Sequence, residues 1–449
     1  MPTPTSTTGP DDIIDSPDKL TAYFRTASKP RVEWRVGVEQ EKLGVYEDGS
    51  PVPYDGPRGI AAVLEVLEGR GFAAEREDGH VIALDRGEER ITLEPGGQIE
   101  LSGPALVSAE AGRRVLVSHL QELREVGRPL GIHFITGGFR PFGTLDDVPW
   151  LPKRRYTVMR DYLPRRGRLG HEMMKRTATV QANLDFADEA NATSKIRLAL
   201  GVTSIVTALF ASSPITAGKP NGWKSYRAAV WLDMDEDRCG LLPFAFEPGF
   251  RFAHYTEWAL DVPMFFVVRD GVYHPVGGIT FRRFLEQGWQ GQRATRRDWE
   301  VHLSTLFPEV RLKRYIEVRG ADSAPLPMAQ ALAALWRGLL DDDDARAAAW
   351  ALVEPWPYVD RLRLRREVPA GGLSVRVGNR TLAELAVELV RIARDGLSRL
   401  PEGAGDQPLL DPVMTYARAG RCPADDMLDD FAAANGDPRK LVAAWEFRA

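Results

Sequence analysis

The sequence predicts an α+β fold, with hairpin-like strands and helices over the first two-thirds of the chain and a helical region after them. Three observations carry this. Residues 176–186 alternate polar and apolar side chains as a strand with one buried face must. A Pro95-Gly96-Gly97 turn joins two further alternating segments, which suits an antiparallel hairpin better than a parallel crossover. Beyond Pro325 and Pro327 the pattern becomes Ala- and Leu-rich at helical spacing, on to Trp445.

Residues 1–16 are Pro-, Thr- and Ser-rich, then acidic. They read as a disordered leader, lacking the basic start and apolar core of a secretory signal. A short helix is expected over 18–26, the first strand over 33–46 and a helix over 59–70. Short strands follow at 81–84, 91–94 and 98–101. Residues 108–126 form an amphipathic helix, with Val115, Leu116, Leu120 and Leu123 on one side. A strand over 132–137 precedes the 176–186 strand and a helix over 190–211, which ends at Ser213-Pro214. Gly218 to Gly222 is a loop by composition. Residues 251–277 read as a helix and a strand pair (264–268 and 272–276), and a single strand over 311–319 closes this half. The division is therefore leader 1–16, a strand-and-helix unit 17–325, and a helical part 326–449 packed on it. Asp341 to Asp344 is expected to be a solvated turn between helices.

The chain has 449 residues, 44% hydrophobic and 27% charged, an ordinary globular composition. Its formal net charge of −5 argues against a nucleic-acid surface. No apolar run approaches the ~20 residues that span a bilayer, so no membrane partner is expected. The two cysteines, Cys239 and Cys422, make no disulfide framework and lack metal-site spacing. These features are read as those of a cytoplasmic protein.

Four strands place acids and amides on one face and core residues on the other. Thr179, Gln181, Asn183 and Asp185 share a face beside Lys175-Arg176. In Val36-Gly37-Val38-Glu39-Gln40-Glu41-Lys42, Glu39 and Glu41 lie on one face about 7 Å apart and repel unless a cation sits by them. Glu94 and Glu100 stand on the two arms of the Pro95-Gly96-Gly97 hairpin. Lys313, Tyr315, Glu317 and Arg319 repeat the theme. Each strand alone also fits an exposed face or a salt-bridge ladder. Together, Glu39, Glu41, Glu94, Glu100, Glu317 and Gln181 offer the oxygen donors that Mg²⁺ prefers. Arg176, Arg319 and Lys313 can neutralise phosphate oxygens. This inventory suits phosphoryl transfer, where positioning and charge stabilisation dominate. Phosphate-binding Gly-rich loops and the Gly-x-Ser-x-Gly elbow are absent.

Several segments now resemble one family. They are Gly37 to Lys42, ITLEPGGQIELS at 91–102, MMKRTATVQANLDF at 173–186, Lys219-Pro220-Asn221-Gly222, ALDVPM at 259–264 and FPEVRLKRYIEVRGAD at 307–322. In order and spacing they are similar to the plant and proteobacterial type of glutamate–cysteine ligase. The resemblance implies a glutamine synthetase-like catalytic domain over 17–325: a curved, mainly antiparallel sheet with outer helices and a concave active face. It implies that ATP, L-glutamate and L-cysteine give γ-glutamylcysteine, ADP and phosphate through a γ-glutamyl phosphate. By motif position it implies Glu39, Glu41, Glu94, Glu100, Gln181 and Glu317 as ligands to two or three Mg²⁺ ions. Arg176, Asn183 and Arg227 are implied for glutamate or its phosphate, Lys313 and Arg319 for nucleotide phosphates, and Arg176, Arg319 and Lys313 for the chemistry itself. A monomer or homodimer is expected. Gln40 stands where family members usually carry His, on the face away from the acids. Disulfide regulation is not carried over, since Ala178 replaces a family cysteine. The alternatives are a γ-glutamyl ligase using another amine or serving ergothioneine synthesis, a catalytically silent relative, and a phosphotransferase that stops at a phosphorylated product.

Overall fold

The computed structural model describes residues 12–447. Its strands are β1 (Val36–Val45), β2 (Ala73–Glu77), β3 (His80–Arg86), β4 (Glu89–Leu93), β5 (Ile99–Ser102), β6 (His133–Ile135) and β7 (Thr179–Leu184), then β8 (Ile215–Thr216), β9 (Lys219–Pro220), β10 (Cys239–Gly240), β11 (Phe266–Arg269), β12 (Val272–Pro275), β13 (Phe307–Pro308), β14 (Val310–Leu312) and β15 (Ile316–Asp322). Nine of them form one sheet in the order β14-β15-β7-β1-β5-β4-β3-β2, with β6 also on β1. Every pairing in that sheet is antiparallel. β1 and β7 lie at its centre, which matches their alternating, half-apolar sequences.

The back of the sheet is covered by the Ala109–Gly127, Glu189–Leu209 and Leu326–Leu340 helices. The first starts at Ser108, whose Oγ accepts from Ala111 N at 3.2 Å, the expected N-cap chemistry. Asp406, far along the chain, adds a carboxylate there, accepting from Glu110 N at 2.8 Å and Ala109 N at 3.1 Å. The Glu189–Leu209 helix is apolar enough to cross a membrane by composition, yet 89% of its apolar window is buried inside the fold. It is a core helix. One apolar cluster joins Val180 and Leu184 of β7 to Ile196, Leu335 and Leu389 of the helices.

Four details depart from the sequence reading. Within the expected leader, residues 1–11 lie outside the described residues, but Ile14 is buried and its N–H donates to Ala294 O at 2.9 Å. An isoleucine side chain gains more from burial than from solvent. β2 was not anticipated, because its Ala-Ala-Glu-Arg-Glu carries no apolar alternation; it is the edge strand and needs none. The single strand over 311–319 is a hairpin, turning at Lys313-Arg314-Tyr315 with Arg311 opposite Glu317. A three-residue turn returns odd-numbered residues to the same face, so alternation alone does not tell the two apart. Finally, Asp341 is no solvated turn residue: it is buried, accepting from Lys195 Nζ at 2.6 Å.

Candidate active site

The register of the central strands places the polar side chains in rows. Glu39 of β1 lies opposite Gln181 of β7 on one side and Ser102 of β5 on the other. Glu41 lies opposite Glu100, which in turn lies opposite Thr92 of β4. Glu317 lies opposite Asn183 and Arg311. Paired residues in an antiparallel sheet share a face, so the rows meet on one surface. That surface floors a cavity of about 400 Å³, lined among others by Glu39, Glu41, Glu94, Glu100, Gln181, Arg227, Arg311, Lys313 and Arg319.

The hairpin that carries Glu94 and Glu100 is locked in place. Gly97 N donates to Glu94 O at 2.8 Å, closing the turn. Gln98 accepts from Gly96 N at 2.9 Å and donates to Thr177 O at 2.8 Å, tying the turn to the start of β7. A Cβ on Gly96 would overlap the Lys175 carbonyl, so only glycine lets the two segments approach.

Glu41, Glu94 and Glu100 each bring a carboxylate oxygen within 4.8 Å of the other two. Burial, reinforced by Glu39 and Glu94, pushes the Glu100 carboxyl up to about 8. Burial, with Glu94 and Glu100, likewise holds Glu41 well above the carboxylate range. Thr179 N, at 3.0 Å, and Thr92 Oγ1, at 2.9 Å, orient these two side chains. A cluster of three acids, forced together and poorly paired, is the donor set a hard divalent cation fits.

Beside the acids on the same sheet face stands a cationic row. Glu317 is fully buried, with Arg311 Nε and Arg319 Nη1 each 2.6 Å from Oε2. Lys313 Nζ is 3.1 Å from Oε1, close enough to pair though not angled as a hydrogen bond. Burial would raise the Glu317 pKa, but Arg311, Lys313 and Arg319 outweigh it and keep the carboxylate well below its ordinary value. Arg319 also donates to Gln181 Oε1 at 2.9 Å. It sits in a bulge, where the pairing of β15 with β7 shifts between Val318 and Ala321. Bulges re-aim side chains in this way. Arg227 enters from the short Tyr226–Val230 helix and donates to Arg319 O at 3.0 Å.

With this geometry in view, the comparisons are specific. The family model for glutamate-cysteine ligase family 2 matches residues 35–444. The chain belongs to that family. Its relatives include the chloroplastic glutamate–cysteine ligases of Brassica juncea and Arabidopsis thaliana. Both are 42% identical over 419 residues; each match covers 92% of this chain, with 80% and 79% of the relative. Among solved structures, a glutamate–cysteine ligase from Francisella tularensis in complex with AMP aligns with a TM-score of 0.57 at 13% identity, covering 92% of this chain and 87% of that one. At that identity the likeness is one of fold, and it bears out the expected α+β architecture. The cytoplasmic expectation is overturned, because these relatives are chloroplastic. Composition could not distinguish the two compartments, since the same solvent and reducing conditions shape both.

In this family 2 ligase most of the sequence-assigned residues line the cavity, and three, Arg176, Asn183 and Glu317, lie outside its lining. Arg176 is absent from the cavity lining. It ends the Gly170–Arg176 helix, pairs with Glu172 at 3.1 Å and donates to Gly143 O at 2.8 Å. The strand begins only at Thr179, so the alternation extended back to 176 did not apply. Asn183 faces Glu39, donating to its Oε1 at 2.8 Å, and so orients a carboxylate. Glu317 is satisfied by cations. Gln40, as expected, points away from the acids into the core side, and Lys42 joins it there; both are fully buried. Sequence reasoning missed Arg311, Lys153 and Arg155, all in the cavity lining. As the end of an alternating strand Arg311 carries no site signal; that signal lies in the hairpin, which sets it opposite Glu317. Lys153 and Arg155 come from a Pro- and Trp-containing loop and the helix after it, where no periodicity marked them. Arg155 Nε is buried without a hydrogen-bond partner, and burial, with Arg155 beside it, lowers the Lys153 pKa.

Proposed function

We propose that this cavity is the reaction site of the enzyme and that its acids hold divalent cations while its basic wall holds phosphate. The chain is an ATP-dependent ligase that joins L-cysteine to the γ-carboxylate of L-glutamate, giving γ-glutamylcysteine, the first step of glutathione synthesis. An ionised carboxylate is a poor electrophile. Transfer of the ATP γ-phosphoryl group to glutamate gives an acyl phosphate, and ADP leaves. The cysteine amine then attacks the acyl carbon. The new C–N bond forms, the C–O bond to phosphate breaks, and the amine gives up a proton. Negative charge gathers in both steps, which fixed cations stabilise without reorganising.

Glu41, Glu94 and Glu100, with Glu39 at the cavity floor, would hold Mg²⁺, and the all-oxygen donor set fits it. Bound there, the ions would neutralise phosphate oxygens. Lys313, Arg319, Arg311, Lys153 and Arg155 line the same cavity and are suited to phosphate. Arg227, bonded to Arg319 O in the same lining, is suited to a substrate carboxylate. The observation that carries this reading is the convergence of acids from β1, β5 and the β4–β5 turn on one cavity that also collects the cations of β14 and β15.

Product analysis tests it. With ATP, Mg²⁺ and glutamate, ADP and γ-glutamylcysteine are expected only when cysteine is added. Rapid ADP release without an amine would instead identify a phosphotransferase. Full activity after Glu39→Ala or Glu94→Ala at saturating Mg²⁺ would remove the acids from the site.

A further inference from the structure

The carboxylate of Asp322 is buried behind the cavity wall and makes contacts that converge on one short helix. It terminates β15 with only 1% of its surface exposed. Its Oδ2 accepts from Ser212 N at 3.0 Å and from Ser213 Oγ at 2.6 Å. Its Oδ1 accepts from Ser225 Oγ at 2.8 Å. Each of these two hydroxyls has spent its proton on Asp322, so each can only accept further bonds. Both accept from the first turn of the Tyr226–Val230 helix: Ser225 Oγ from Ala228 N at 3.0 Å, and Ser213 Oγ from Arg227 N at 3.2 Å. The guanidinium of Arg227 returns to the same place, with Nη1 4.0 Å from Asp322 Oδ1 and Nη2 bonded to Arg319 O at 3.0 Å. The chain leaves room for this arrangement: a Cβ on Gly138 would overlap the Asp322 carboxylate.

We infer that Asp322 is a positioning residue. It sets the polarity of Ser213 and Ser225, these fix the first turn of the helix, and the turn aims Arg227 at the substrate. A buried carboxylate held mainly by neutral donors is costly for stability alone. Its cation partner stands at 4.0 Å rather than in a close fork, which leaves the Arg227 N–H groups available to a ligand. An amide in place of the carboxylate brings its own N–H groups against the serine protons. At least one hydroxyl must then turn its proton toward the helix N–H it accepts from or leave that proton without a partner, and either way the hold on the helix turn weakens.

This inference rests on Arg227 binding glutamate, as proposed above, and the experiment separates the two. Initial rates are measured as functions of glutamate, ATP and cysteine for the wild type, Arg227→Lys, Asp322→Asn and the double variant, with thermal melts of each. Asp322→Asn is expected to raise the glutamate KM about 10-fold or more, with a smaller fall in kcat and no change in the ATP KM. In the Arg227→Lys background the same change should add little, because the two act through one group. If Arg227→Lys leaves the glutamate KM unchanged, the assignment of Arg227 fails. If Arg227→Lys raises it but Asp322→Asn does not, or if the two effects multiply, the positioning role is overturned. Should Asp322→Asn fail to fold, Ser225→Ala removes one relay hydroxyl and must show the same KM-selective, non-multiplying effect.

Discussion

Replacing Glu94 with Gln should separate a site built for a cation from an ordinary acidic surface. The substitution keeps the shape of the side chain and removes one charge from the three acids whose oxygens lie within 4.8 Å. At an effective dielectric of ~20, two carboxylates at that distance repel by about 3.5 kcal/mol. In the absence of metal, protonation relieves part of this, as the Glu100 pKa of about 8 indicates. Roughly 1–2 kcal/mol of repulsion is therefore left for Glu94→Gln to remove, which for a chain of this size is an upward shift of about 2 °C in Tm. With Mg²⁺ the sign reverses. The lost carboxylate weakens cation binding by about 3 kcal/mol, or roughly 100-fold, and amide formation should fall by at least that factor. The assay is a pair of thermal melts, in chelator and in saturating Mg²⁺, beside the rate of γ-glutamylcysteine formation. Wild type should gain stability on adding Mg²⁺, and the variant should not. A variant that melts lower in chelator, keeps its Mg²⁺-dependent gain and remains active would refute the reasoning.

Three further outcomes follow from other parts of the structure. Arg311→Met strands the buried Glu317 carboxylate with one strong partner fewer, and should cost about 3–5 kcal/mol in denaturant-unfolding free energy. Arg176→Lys should lower stability by about 1–2 kcal/mol through its lost bonds to Glu172 and Gly143, while leaving the glutamate KM unchanged in steady-state kinetics. His302 is buried and bonded to Ala259 O, and burial depresses its pKa from the ordinary 6.5 to about 3. The unfolded chain takes up its proton first as pH falls, so this contribution is full above 6.5 and drains away toward 3. Between pH 7 and pH 5 the wild type should lose about 2 kcal/mol more stability than His302→Gln; parallel pH profiles for the two proteins would contradict the assignment.

Much of the site was legible because β-strands alternate with period two. Once Glu39 and Glu41 stood on one face and Val36 and Val38 on the other, the valine face belonged to the core and the acids had to point away from it, and the same logic held for Gln181, Glu100 and Glu317. Local rules of this kind act within a few residues, so they survive in a single sequence. Turn chemistry was legible for the same reason at Pro95-Gly96-Gly97. They fail where an element begins or ends. The alternation runs back to Arg176, whereas β7 starts at Thr179 and Arg176 ends a helix; extending a strand through Lys313-Arg314-Tyr315 hid the pairing of Arg311 with Glu317.

Which strands meet beyond the local hairpins is a matter of tertiary structure, because β1, β7 and β15 lie far apart in the chain. The chain alone determined that several segments would each offer a face of acids and amides. Only the folded sheet decided that Glu41 and Glu100 are cross-strand partners, that Gln181 of β7 meets both Glu39 and Arg319, and that Lys153 lines the same cavity. The backbone dictates where a side chain points, whereas the packing of distant apolar faces dictates what it meets.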